Sequence, residues 1–197
     1  MKNLLFLFFV NLLILPVSGQ FKANMTFNGM GQERTFKIYS SQAGYRYEFN
    51  EQGQEGVIIV RKGSPEVVTL MPQQKLAMKG SADSPMSMAN DPVGSYDHFK
   101  KTGTVKKIGN ETLNGIKCTK SELWDLTGDE YGQVNKKMYT VWTSEKYEFP
   151  IKLISHLDGT EDSVMELKDI EPWTPDASSF SIPEGYRVME MPKMGVN

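Results

Sequence analysis

From Phe21 onward the dominant period in this chain is two. Phe21, Ala23, Met25 and Phe27 alternate with Lys22, Asn24, Thr26 and Asn28, which places one apolar face of an extended strand against a core. Glu33 to Ser40 follows with Phe36 and Ile38, and Tyr45, Tyr47 and Phe49 alternate with Arg46 and Glu48. The series predicts further strands over Gly56–Lys62, Glu66–Met71, Gln74–Lys79, Thr102–Ile108, Leu113–Trp124, Lys137–Ser144, Ile151–Leu157 and Ser163–Ile170, with a last one near Tyr186. Reversals are expected at Gly29–Gln32, Gln42–Gly44, Lys62–Pro65, Met71–Gln74, Gly109-Asn110, Thr127–Asp129 and Asp158-Gly159, where Gly, Pro, Asn and Asp supply the backbone angles of tight turns. About eleven short strands at near-regular spacing, with no recurring helix between them, predict an antiparallel meander in one mainly β domain.

Two stretches break the rhythm. Ser81 to Lys101 is rich in Ser, Asp, Asn, Pro and Met and is too long for a hairpin loop. It predicts a short helix or a flap, without a clear pair of covering helices. Ser144 to Phe149 predicts one helical turn before Pro150. The first residues are of another kind: Lys2 precedes the apolar run Leu4–Leu15, interrupted only by Asn11, and Pro16, Val17, Ser18 and Gly19 follow. That is the pattern of a secretory leader cut after Gly19, shorter than the roughly 20 apolar residues of a membrane span. Position 20 is Gln, so no cysteine thiol is offered to a lipid anchor. The expected organisation is a leader over 1–19, one domain over 20–190 and a frayed tail over 191–197. The expected destination is the periplasm or the exterior, with nothing spanning the membrane after cleavage.

Charge and composition remove several classes of function. A formal charge of -2 lacks the basic excess that phosphate neutralisation requires, so no nucleic-acid partner is expected. Two histidines and one cysteine are too few for a zinc cluster, a haem attachment or a disulfide framework, and no metal or cofactor is expected.

The second half carries a recognisable combination: Trp142, then Phe149-Pro150-Ile151-Lys152, then the alternating Val164 to Ile170, then Phe180-Ser181-Ile182-Pro183-Glu184-Gly185-Tyr186. With the Val68–Lys75 hairpin, this resembles the LolA/LppX-like secreted bacterial proteins, closest to an uncharacterised branch of them known as a domain of unknown function. The resemblance implies a strongly curved, open antiparallel half-barrel with a short helical or loop cover. It also implies a lipid, or the acyl group of a lipoprotein, as the occupant of the concavity.

Candidate chemistry is sparse, and no enzyme is expected. His98 beside Asp97 suggests a base with its orienting carboxylate, but neighbours on a strand point to opposite faces, and a surface histidine is the expectation. His156 reads the same way. Cys118 shares a face with Ile116 and is expected to be a small buried hydrophobe. Asp158, Glu161 and Asp162 lack the spacing of an EF-hand and read as a solvated hairpin tip. The pairs Lys100-Lys101 and Lys106-Lys107 form a basic patch in an otherwise acidic chain. The apolar distribution says more. The chain has 12 methionines, and flexible thioethers line adaptable sites as well as irregular cores. The lining expected for a hydrophobic small molecule or lipid is Met25, Phe27, Phe36, Ile38, Tyr45, Tyr47, Phe49, Leu70, Met78, Met86, Met88 and Trp142. The rival expectation is a self-filled core whose outer surface meets another envelope protein, anchored by residues such as Tyr39, Trp142 and Trp173.

Overall fold

The structure is a computed structural model that describes residues 19–29, 31–51, 53–126, 135–157 and 162–191. Residues 1–18 of the leader, the tail beyond Met191, Glu161 and the reversals expected at Thr127–Asp129 and Asp158-Gly159 therefore lie outside the described residues.

Alternation produces what it predicts. The first meander comprises β1 (Phe21–Gly29), β2 (Gln32–Ser41), β3 (Gly44–Glu51), β4 (Gln54–Arg61), β5 (Glu66–Met71) and β6 (Leu76–Ser81). Helices α1 (Pro85–Asn90) and α2 (Pro92–Phe99) follow, and then the second meander: β7 (Thr104–Leu113), β8 (Ile116–Asp125), β9 (Lys136–Ser144), β10 (Pro150–Ser155) and β11 (Ser163–Pro172). The last strand is β12 (Arg187–Glu190). All belong to one sheet in the order β12-β6-β5-β4-β3-β2-β1-β11-β10-β9-β8-β7. The two meanders are joined by antiparallel pairing of β1 with β11, where Met25 meets Leu167 and Phe27 meets Met165. β7 and β12 end the sheet unpaired with each other, so it is open.

The sheet curls around its helices. Asp91, which caps α2, accepts hydrogen bonds from Tyr45 and Tyr47 of β3, while Ser95, one helical turn later, bonds Tyr139 of β9 at 2.8 Å. β3 and β9 are five inter-strand steps apart, or about 24 Å in a flat sheet. Asp91 and Ser95 are separated by about 6 Å of helix rise. Only a sheet bent toward the helices brings both strands to the same turn, and this defines the concave face.

The inward alternation fills that face. Phe21, Ala23, Met25, Ile38, Tyr47, Leu123, Tyr139, Val141, Ile151, Leu153, Met165 and Leu167 form one core with Val93 and Tyr96 of α2. A second, smaller cluster lies on the convex side. Ile59, Val68, Leu70 and Ala77 are covered there by Phe180, Ile182 and Tyr186 of the C-terminal segment. Arg46 Nη1 donates to the Ser179 carbonyl at 3.0 Å, and Trp173 meets Tyr39 edge-on. The chain then lies along β6 as β12.

Three expectations about elements are corrected and one is met. The reversal expected at Gly109-Asn110 lies at Asn114-Gly115, where φ is +50° and +77°. Gly109 instead sits in β7 beside a bulge. The segment 81–101 forms a pair of helices, because Ser84 and Asp91 cap consecutive turns with Pro at the first position of each. The stretch 144–149 makes its one turn as expected, closed by the Glu148 amide donating to the Ser144 carbonyl at 2.9 Å. Its Ser144 Oγ accepts from the Lys146 and Tyr147 amides, and Glu148 has a φ of +52°. Finally, β12 pairs with β6 in parallel, against an otherwise antiparallel sheet.

Candidate functional site

One end of the concave face is open. Between α1 and strands β1–β6 lies a cleft of about 260 Å³. Its floor follows from register. Met25 pairs with Phe36, Phe49 with Gly56, Ile58 with Thr69 and Thr69 with Met78, so these residues share the inward face strand after strand. Gly56 shapes the cleft, since a Cβ at this position would lie 2.1 Å from the Phe49 ring. The ring crosses the strand there and turns its other side to the cavity. Arg34 and Glu51 stand at the rim with their charges 3.6 Å apart. Overhead, Met86 and Ala89 of α1 close the cleft, helped by Met191. Helix α1 buries none of its own residues.

A second cleft of about 570 Å³ occupies the other end of the same face, bounded by Ser40, Tyr45, Val60, Asp83, Asp97, Lys100 and Lys101 among others. Between the two stands a polar bar. Asp91, 3% exposed, accepts from Tyr45 Oη at 2.8 Å, Tyr47 Oη at 2.8 Å and the Gly94 amide at 3.0 Å. Burial nonetheless pushes its carboxyl above the usual range, and burial, with the Asp91 charge second, pushes both phenols well above theirs.

The residues expected to line a ligand site divide into three groups. Met25, Phe27, Phe36, Phe49, Met78 and Met86 line the first cleft. Ile38, Tyr45 and Tyr47 share its face but do not line it: Ile38 and Tyr47 are buried core, and Tyr45 borders the second cleft. Met88, half-buried on α1, lies outside the cleft lining. Leu70 and Trp142 are placed on the opposite side of the sheet. Leu70 pairs with Val57 and Ala77 and packs under the C-terminal segment. Trp142 pairs with Lys120 and Lys152, whose ammonium groups lie 4.8 and 5.6 Å from its ring, and its Nε1 donates to Glu111 at 2.6 Å.

Ile58, Val67, Thr69 and Met191 escape the sequence reading. Ile58 stands between Val57 and Ile59, and Val67 is followed directly by Val68, so alternation has little contrast with which to choose the inward member. The one available signal is the Tyr47–Ile58 cross-strand pairing, which requires the hairpin register.

The ionisable groups are tied elsewhere. His98 lies on α2, not a strand, and its Nδ1 bonds Asp83 at 2.8 Å rather than the adjacent Asp97. That contact holds the Asp83 carboxyl below its ordinary range. His156 lies between Thr140 Oγ1 at 3.0 Å and Asp162 Oδ1 at 2.7 Å. The order hydroxyl, imidazole, carboxylate invites comparison with a nucleophile triad, but Thr140 is buried and lines neither cleft. The contact ties β9 to the start of β11. Cys118 is fully buried, with its thiol pushed up by burial. Among the described residues no group of three or more His, Cys, Asp or Glu is placed to hold a metal ion.

Comparison with known proteins adds to this geometry. Residues 121–186 match a family model. Its description is Domain of unknown function (DUF4412). The matched segment contains Trp142, the Phe149–Lys152 run and the Phe180–Tyr186 motif, the same residues that carry the resemblance in the sequence. No curated protein matches the chain significantly. Among solved structures, an uncharacterized conserved protein from Thermus thermophilus is 10% identical with a TM-score of 0.56, over 89% of this chain and 93% of that one. A LolA superfamily protein from Nitrosomonas europaea is 13% identical with a TM-score of 0.43, over 84% and 90%. The Mycobacterium tuberculosis lipoprotein LppX is also 13% identical, with a TM-score of 0.40 over 80% and 91%. The fold assignment rests on the Thermus thermophilus chain.

Proposed function

We propose that this chain is an exported, non-catalytic envelope protein that holds one hydrophobic ligand, a lipid tail or the acyl chain of a lipoprotein, in the first cleft. The observation that carries this reading is the apolar space beneath α1 floored by Met25, Phe27, Phe36, Phe49 and Met78, which the core side chains do not fill, whereas the second cleft is bordered by charged groups such as Asp83, Asp97, Lys100 and Lys101. An apolar lining with a few polar groups at the rim is the usual build of a small-molecule site. The volume suits a single short chain or one segment of a longer one. Helix α1 is the natural cover, because burying nothing means that little holds it down.

Native mass spectrometry of protein from its own host, followed by lipid extraction, tests the proposal directly. A fluorescent fatty acid provides the titration, and Met78→Trp provides the control. The larger ring fills the cleft from β6 at about 1–3 kcal/mol of overpacking, so the variant is expected to remain folded and to lose the probe. Absence of any bound apolar molecule, together with equal probe binding by wild type and variant, refutes the reading.

A further inference from the structure

Of the 12 methionines in the chain, Met25, Met78, Met86 and Met191 line the first cleft. The last three come from different elements: β6, α1 and the residue after β12. Register adds a fifth. β12 runs parallel to β6 with Met189 opposite Met78, and the Met191 amide extends the ladder by donating to the Lys79 carbonyl at 2.7 Å. Met78 and Met191 both face the cleft, so Met189, paired with the first and two residues before the second, faces the same way. Such positions lie about 4.8 Å apart across the strands and about 6.6 Å apart along one. Gly80 makes room for this group. A Cβ there would lie 2.3 Å from the Met191 methyl carbon and 3.8 Å from its sulfur, with the Ser87 hydroxyl of α1 at 3.9 Å. The Met191 thioether therefore lies over the glycine and against helix α1, where Met86 precedes Ser87.

Packing accounts poorly for the outer members of this group, since Met86 is 53% and Met189 47% exposed. Methionine differs from leucine in its sulfur, a polarizable donor on a side chain whose three rotatable bonds let neighbouring thioethers turn toward one point. Uncharged thioethers select soft ions, copper(I) foremost. Zinc is held instead by thiolate, imidazole or carboxylate, and calcium and magnesium by oxygen. Exposure suits such an ion, because a charge held at the mouth stays beside water and escapes the penalty of full burial.

We propose that Met78, Met86, Met189 and Met191 form a copper(I) site at the mouth of the first cleft. This goes beyond the hydrophobic-ligand reading and is separable from it, because leucine in place of methionine keeps the apolar surface and removes the donor.

Silver(I), a soft monovalent ion that does not oxidise in air, is titrated calorimetrically into the purified protein in chloride-free buffer. Copper(I) is then titrated anaerobically against a coloured chelator. One ion of either kind is expected per chain, and no zinc at the same site. In protein with labelled methionine methyl groups, the resonances of Met86, Met189 and Met191 are expected to shift with silver(I) while that of Met88 stays in place. Met86→Leu and Met189→Leu are each expected to weaken binding about tenfold or more, and Met88→Leu to leave it unchanged. These exchanges conserve volume, so circular dichroism should match wild type. Met189 lies outside the cleft lining, so Met189→Leu should take up the fluorescent fatty acid as wild type does. Silver(I) binding without any uptake of that probe sustains the metal site and refutes the cleft reading alone. The proposal is overturned by no binding of silver(I), by Met86 and Met189 variants indistinguishable from Met88→Leu, or by zinc binding that depends on the same methionines. Loss of silver(I) in Cys118→Ala also overturns it, by giving the ion to the thiol.

Discussion

Replacing Asp91 with Ala removes the acceptor for three donors at once, in the place where the helix pair meets the sheet. Tyr47 Oη is left unpaired in a fully buried position, which costs about 1–3 kcal/mol. Tyr45 is half-buried and lines the second cleft, so its phenol is expected to exchange the lost partner for water at about 1 kcal/mol or less. Loss of the cap on the Gly94 amide adds about 1 kcal/mol. The carboxylate is itself poorly solvated, and relief of that penalty offsets part of the loss. The net expectation is about 2–4 kcal/mol, or about 5–15 °C in Tm for a domain of this size. Urea and thermal unfolding followed by circular dichroism measure it. Tyr47→Phe alone is expected to cost about 1–2 kcal/mol, and the double variant less than the sum, because the orphaned phenol is gone. An Asp91→Ala variant within about 0.5 kcal/mol of wild type, or strictly additive costs, would refute the bar as a structural tie.

The same residue carries a pH signature of definite sign. Its folded-state pKa is raised above the ordinary 3.8 by burial, so the folded protein holds the proton more tightly than the unfolded chain. The resulting stabilisation is complete below the unfolded value and is lost as pH rises through the folded one. The stability advantage of wild type over Asp91→Asn should therefore shrink with rising pH from about 3.8 upward. A flat difference curve, or one of opposite slope, contradicts the assignment.

Two further outcomes check the fold. A Cβ on Gly44 would lie 2.1 Å from the Val60 carbonyl oxygen, and its φ is +145°, so Gly44→Ala should cost about 3 kcal/mol or more in urea unfolding. Gly53→Ala meets nothing within 4 Å and should cost about 1 kcal/mol from its positive φ alone. Cys118, buried with its thiol pKa raised, should react with a thiol reagent only at the rate of global opening in the native protein. Rapid labelling without denaturant would show that β8 is not covered as described.

The inward set of β1–β3 was legible in the residues because each apolar side chain there has polar neighbours. Where both neighbours are apolar the period vanishes. β9 is buried on both sides from Met138 to Trp142, since lysine stems and Glu111 cover its outer face, and nothing in its spelling says that Trp142 points outward. Leu70 fails for a related reason: a segment more than a hundred residues later lies over it. The helix pair was obscured because both helices are short: α1 buries none of its residues, and the apolar stripe of α2 is only Val93, Tyr96 and Phe99.

Local chemistry alone determined the extended backbone, the expectation of an exported domain and the apolar face of the first hairpins, because alternation and turn residues act over a few positions. Tertiary structure decided which side of β4, β5 and β9 faces inward, that Gly56 makes room for Phe49, and that Asp91 divides the concavity. Those outcomes depend on contacts between residues far apart in the chain, and side-chain periodicity contains no record of what arrives from elsewhere to cover a strand.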